Sequence, residues 1–143
     1  MICPVCREAM IVVEHQRIEL DYCVQCHGIW FDSGELELML KSFALPTAEL
    51  SMASITALPE KKVAEKRRKC PLCRKNMKKV TVGHAPEVLI DACPKGQGLW
   101  FDGGEIGQVI KQLLDTTPGS GSAPSHAHGR VISFLGETFK ARG

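Results

Sequence analysis

The sequence predicts a small α+β protein, metal-stabilised and built as two tandem ribbons. Each ribbon is a two-stranded hairpin with two cysteine knuckles, followed by an α-helix. Three observations predict it. The stretch from Cys23 to Leu36 (CVQCHGIWFDSGEL) returns as Cys93 to Ile106 (CPKGQGLWFDGGEI), and a Cys-Pro-x-Cys precedes each copy, Cys3–Cys6 and Cys70–Cys73. The runs between the knuckles alternate apolar and polar residues, the period of a half-buried strand. Finally, each unit spans roughly 40 residues, a size at which a hydrophobic core alone rarely holds a fold.

In the first unit, Met10–Glu14 reads as a strand, and in Arg17–Tyr22 the residues Ile18, Leu20 and Tyr22 share one face. The short connection at His15-Gln16 makes a hairpin, which returns the chain so that Cys3, Cys6, Cys23 and Cys26 meet at one end. Their spacing, Cys-x2-Cys-x16-Cys-x2-Cys, is that of a four-thiolate zinc site. Four thiolates satisfy the tetrahedral preference of zinc and leave no position open, which marks a structural ion.

The motif then opens a helix. Asp32 stands three residues before Glu35, the spacing of a capping box, with Leu36, Met39, Leu40 and Phe43 at helical intervals and Pro46 beyond. Asp102 and Glu105 repeat the device before Ile106, Val109, Ile110 and Leu113. Capping accounts for these carboxylates without a catalytic role, and an enzyme is not expected. Trp30, Phe31, Trp100 and Phe101 are candidates for base stacking; their position just before the helices favours packing of the Trp residues between ribbon and helix.

Between the units, Pro46–Leu58 is expected to form a modest helix, followed by the charged run Glu60–Lys69. The second hairpin is read at Lys78–Val82 and Glu87–Ala92, with a longer turn. The organisation is thus a first ribbon and helix at 1–45, a linker at 46–69 that is helical and then strongly basic, a second ribbon and helix at 70–115, a Gly/Ser/Pro-rich flexible linker at 116–129 and an amphipathic tail at 130–143.

The second site has Cys70, Cys73 and Cys93, but Gly96 where the first has Cys26. His126 and His128 can return across the flexible linker as a fourth ligand, since closing such a loop costs little. His84 is a weaker candidate, because a hairpin tip lies roughly 15 Å from the knuckles. Water, a partner's ligand or a metal-free site are the other options.

Charge is divided unevenly. Residues 1–60 hold three basic and nine acidic side chains; residues 61–143 hold fifteen basic and seven acidic. Lys61, Lys62, Lys66, Arg67, Arg68, Lys69, Arg74, Lys75, Lys78 and Lys79 concentrate the positive field around the second unit. They are the candidate contacts for nucleic acid, where cations supply affinity through phosphate, or for an acidic protein surface. A binding module is expected, with a protein-interaction scaffold as the alternative and a thiol or zinc redox sensor as a minor one. Seven cysteines, six of them in Cys-x-x-Cys pairs, with no signal segment and no apolar run of membrane-span length, point to zinc in a reducing cytoplasm.

The residues Cys3-Pro4-Val5-Cys6, and Asp21 through Leu36 with their Cys-x-x-Cys, Gly28, Trp30, Asp32 and Gly34-Glu35-Leu36, resemble the bacterial transcription factor IIB-like zinc-ribbon family. The second unit follows the same pattern without its fourth Cys. The resemblance implies zinc and a β-ribbon with a trailing helix; a transcription role is implied less directly, since ribbons serve DNA, RNA and protein partners alike.

Overall fold

The computed structural model describes residues 1–15, 17–64, 67–84 and 86–116. The linker and tail expected at 116–129 and 130–143 lie outside these residues, apart from Thr116, as do His126, His128 and Lys66.

The two hairpins form where alternation places them: β1 (Ile11–His15) pairs with β2 (Ile18–Tyr22), and β4 (Lys78–Val82) with β5 (Val88–Ala92), all antiparallel. Each ribbon also has a third strand that the two-stranded reading lacks. β3 (Ile29–Asp32) and β6 (Gly98–Phe101) follow the second knuckles, and each pairs with its own hairpin. They also pair with each other, antiparallel, with Trp30 opposite Trp100. The result is one six-stranded sheet of order β1-β2-β3-β6-β5-β4. β3 and β6 are only four residues long each; backbone pairing on both edges is what makes them strands.

Helices α1 (Glu35–Ser42) and α3 (Glu105–Thr116) cover one face of this sheet. They bury Leu36, Met39 and Leu40, and Ile106, Val109 and Ile110, against Ile18, Leu20, Tyr22, Val80, Ile90 and Leu99. Phe31 and Phe101 meet edge to face on this side, ring centroids 5.4 Å apart. The expected capping box at Asp32 does not form. Asp32 is still in β3 and its carboxylate accepts the Trp30 indole N–H, so the chain enters α1 through Gly34 in the left-handed region (φ 90°). In the second repeat half of the box is made: the Asp102 N–H donates to Glu105 Oε1 at 2.8 Å.

The single helix expected between Pro46 and Pro59 is two pieces, a 3-10 turn at Ala48–Leu50 and α2 (Met52–Thr56). Ser51 breaks them with an extended backbone, and its hydroxyl accepts the Ser54 N–H at 3.2 Å. Leu50 and Ile55 anchor the linker in the core. No described helix is long and apolar enough to cross a membrane.

Candidate metal centres

The hairpins bring both cysteine sets to the sheet face opposite the helices. In the first, Cys3, Cys6, Cys23 and Cys26 present four sulfurs within 4.8 Å of one another. Zinc–sulfur bonds of about 2.3 Å at the tetrahedral angle place sulfurs about 3.8 Å apart; Cys3 and Cys26 Sγ are 3.7 Å apart. The knuckles prepare the sulfurs for negative charge. Cys3 Sγ accepts backbone N–H groups of Val5 and Cys6, and Cys23 Sγ accepts that of Cys26. Burial pushes the Cys3 and Cys26 thiols up to about 11, so zinc must displace protons to bind. The donor set, its spacing and its N–H bonds fit zinc.

The second set, Cys70, Cys73 and Cys93, also converges within 4.8 Å, with Cys73 and Cys93 Sγ 3.8 Å apart. Leu72 and Lys95 N–H groups point at Cys70 and Cys93 sulfurs. Burial pushes the Cys70 thiol up to about 12. Each of the two clusters can therefore hold a zinc ion. His84 is not in the second cluster: its N–H is tied to Gln112 Oε1 of α3 at the hairpin tip. The side chain beside these sulfurs is instead Gln97, which the sequence reading passed over. Its Oε1 lies 3.7 Å from Cys70 Sγ and 3.6 Å from Cys93 Sγ. The available signal was a long amide directly after the glycine that replaces the fourth cysteine.

The tryptophans also lie on this face, which corrects the expected packing between ribbon and helix: in strands, alternate side chains take opposite faces, so Phe31 and Phe101 turn to the helices and the indoles to the knuckles. Both are 0% exposed, so they do not offer a stacking platform. They cross over between repeats. A Cβ on Gly28 would lie 2.2 Å from the Trp100 ring, and one on Gly98 2.3 Å from the Trp30 ring. Each indole N–H is satisfied by the carboxylate two residues on, Asp32 and Asp102.

The predicted contact cations separate into two groups. Lys61, Lys62, Arg67, Lys69, Arg74 and Lys75 are exposed, and Lys78 is half-buried with its ammonium on the Thr56 carbonyl at 3.1 Å. Lys79 and Arg68 are instead engaged with carboxylates of the fold. Lys79 is 2% exposed and its Nζ bonds Asp91 Oδ1 at 2.8 Å. Arg68 is largely buried, paired with both Asp91 and Asp102. Lys79 neutralises the almost fully buried Asp91 carboxylate, which withdraws it from a partner, whereas Arg68, though paired with Asp91 and Asp102, also lines the groove between the two Cys-Pro knuckles. Burial, reinforced by Asp32, also pushes Glu35 up to about 7; burial does the same to Glu105, against the pull of the Asp102 N–H.

The sequence profile of the transcription factor zinc-finger family, a IIB-type zinc ribbon, matches the chain twice, over residues 2–42 and 69–112. No curated protein and no solved structure matches the chain. The two matched regions span more than half of the sequence and coincide with the two cysteine clusters and their ribbons: the chain belongs to the transcription factor zinc-finger family, as two tandem zinc ribbons of which the second lacks the fourth cysteine.

Proposed function

We propose that the protein is a non-enzymatic nucleic-acid-binding module, acting in transcription-associated complexes, that holds phosphate in a cationic groove between its two Cys-Pro knuckles. The observation that carries this reading is a groove of about 500 Å³ between Pro4 and Pro71, lined by Arg7 from the first repeat and by Arg67, Lys69 and Arg74 from the second. Arg7 and Arg74 occupy equivalent positions, each in a left-handed turn just after its knuckle (φ 65° and 66°). The contact surface is then shared by both repeats, although the first is acidic overall. A groove lined by guanidinium and ammonium groups with no exposed aromatic rings favours phosphate contact, which supplies affinity and little sequence reading. The buried tryptophans support this division, since they serve the fold and not base stacking.

The test is fluorescence anisotropy of the zinc-loaded protein with short single- and double-stranded DNA and RNA across a salt series. Binding should weaken steeply with salt, and Arg7→Gln with Arg74→Gln should lower both affinity and salt slope, by about one unit of slope per lost phosphate contact. No binding at low salt would defeat the reading. That outcome would favour a protein-interaction scaffold, for which a second observation speaks: an apolar cleft of about 660 Å³ between the linker and α3, lined by Leu50, Leu58, Val82, Val109 and Leu113.

A further inference from the structure

We propose that the side-chain carbonyl oxygen of Gln97 is the fourth donor of the second metal centre, making it a three-thiolate, one-oxygen zinc site. The argument begins with the shape of the knuckle. Both second knuckles span the same number of residues, since Cys23 and Cys93 N–H groups each donate to the glycine carbonyl five residues on, Gly28 and Gly98, both at 3.0 Å. Inside that span the turns differ. The first closes from the His27 N–H to the Cys23 carbonyl, with Cys26 as the last residue before the corner and His27 in the left-handed region (φ 66°). The second closes one residue earlier, from the Gly96 N–H to the Cys93 carbonyl, with Gly96 itself at φ 73°. Moving the corner back by one residue brings residue 97, instead of residue 96, to the sulfurs.

The distances agree with ligation. Donors around zinc at about 2.3 Å for sulfur and about 2.1 Å for oxygen lie about 3.6 Å apart at the tetrahedral angle. Gln97 Oε1 is 3.7 Å and 3.6 Å from two of the three sulfurs, beside a sulfur pair at 3.8 Å. The residue is also held in place from the other repeat, because its backbone carbonyl accepts the Ser33 N–H at 3.0 Å. A carboxamide oxygen is a neutral, weak donor to such metals. The second ion is accordingly bound less tightly than the first and is the exchangeable one of the pair.

The test uses the full chain, isotopically labelled and titrated with zinc while the side-chain amide signals of glutamine are followed, alongside competition with a chromophoric chelator. The expected result is two equivalents of zinc per chain, with the Gln97 amide shifting only as the second equivalent binds and the chelator removing that equivalent first. Gln97→Ala should lower the affinity for the second equivalent at least about tenfold, the low end of the effect of losing even an outer-shell partner, and leave the first unchanged. Three results would overturn the proposal: a Gln97 amide that stays still through the second equivalent, uptake of one equivalent only, or a His126→Ala/His128→Ala variant that loses the second equivalent where Gln97→Ala does not. The amide signal is read on the unaltered chain, so the question is decided even where a variant folds poorly.

Discussion

The two repeats share a backbone frame and differ in how they settle charge. One register row crosses the whole sheet on the knuckle face: Val12, Asp21, Trp30, Trp100, Asp91, Lys79. It is symmetric about the tryptophan pair except at its ends. In the second repeat Lys79 stands opposite Asp91, and Arg68 reaches both Asp91 and Asp102. In the first repeat the residue opposite Asp21 is Val12, 61% exposed, and burial together with Asp32 raises the Asp21 pKa. The metal centres differ in the opposite sense. The first repeat spends four thiolates on its ion; the second spends three and sets its cations against buried carboxylates. The lesson is that identical strand geometry constrains where side chains meet, while the local charge balance is free to be solved differently in each copy.

Loss of a zinc ligand should separate the repeats most strongly. Structural zinc contributes on the order of 10 kcal/mol of folding free energy, so Cys23→Ser should empty the first centre and unfold its ribbon. Cys93→Ser should cost less, because the second centre has the weaker fourth donor. Zinc content and circular dichroism check this, and the reverse ranking would break the comparison. At the seam the repeats should instead behave alike. Trp30→Ala and Trp100→Ala should each cost about 3–5 kcal/mol in denaturant unfolding. Their double variant should fall short of the sum, because each ring packs on the partner strand. Additive losses would mean that the seam is not shared.

A smaller contrast lies at the ends of the row. Lys79→Val, which gives the second repeat the first one's residue, leaves the buried Asp91 carboxylate with only its longer Arg68 contact and should cost up to about 3 kcal/mol. Val12→Lys places a cation opposite Asp21 at an exposed edge and should change stability by less than about 1 kcal/mol. Similar effects of the two would show that Asp91 is better solvated than its burial implies.

The smallest effect is on pH. Glu35 and Glu105 titrate near 7 in the folded chain and lower when unfolded. Between those values the folded state holds the extra protons, so these groups make stability decline as pH rises from about 4.5 to about 7. Protonation of the zinc thiolates has the opposite slope, and comparing variants at each pH separates the two. Glu35→Gln should raise Tm at pH 8 relative to pH 6, compared with the parent. Glu105→Gln should do so to a similar extent, because its carboxyl is also held near 7 once the opposing pull of the Asp102 N–H and Arg68 is included. Equal pH slopes in parent and variants would remove the carboxylates from the account.

Much of the site was written in local spacing. The Cys-x-x-Cys pairs, the alternation in Ile18–Tyr22 and Val88–Ala92 and the helical intervals after Glu35 and Glu105 are short-range patterns. Each has one physical meaning over a few residues, and the hairpins, the helices and the two sulfur clusters followed from them. Tertiary structure alone decided the rest. Ile29–Asp32 and Gly98–Phe101 are too short to declare a period, and they become strands by pairing with each other across 70 residues of chain. That pairing turns the indoles away from the helices. The β4–β5 register sets Lys79 opposite Asp91, and Arg68 reaches the same buried carboxylate, although both residues belong to an exposed-looking basic run. The role of Gln97 depends on where a single left-handed residue falls in a knuckle. Sequence spacing cannot express that choice, because the same loop length admits both turns.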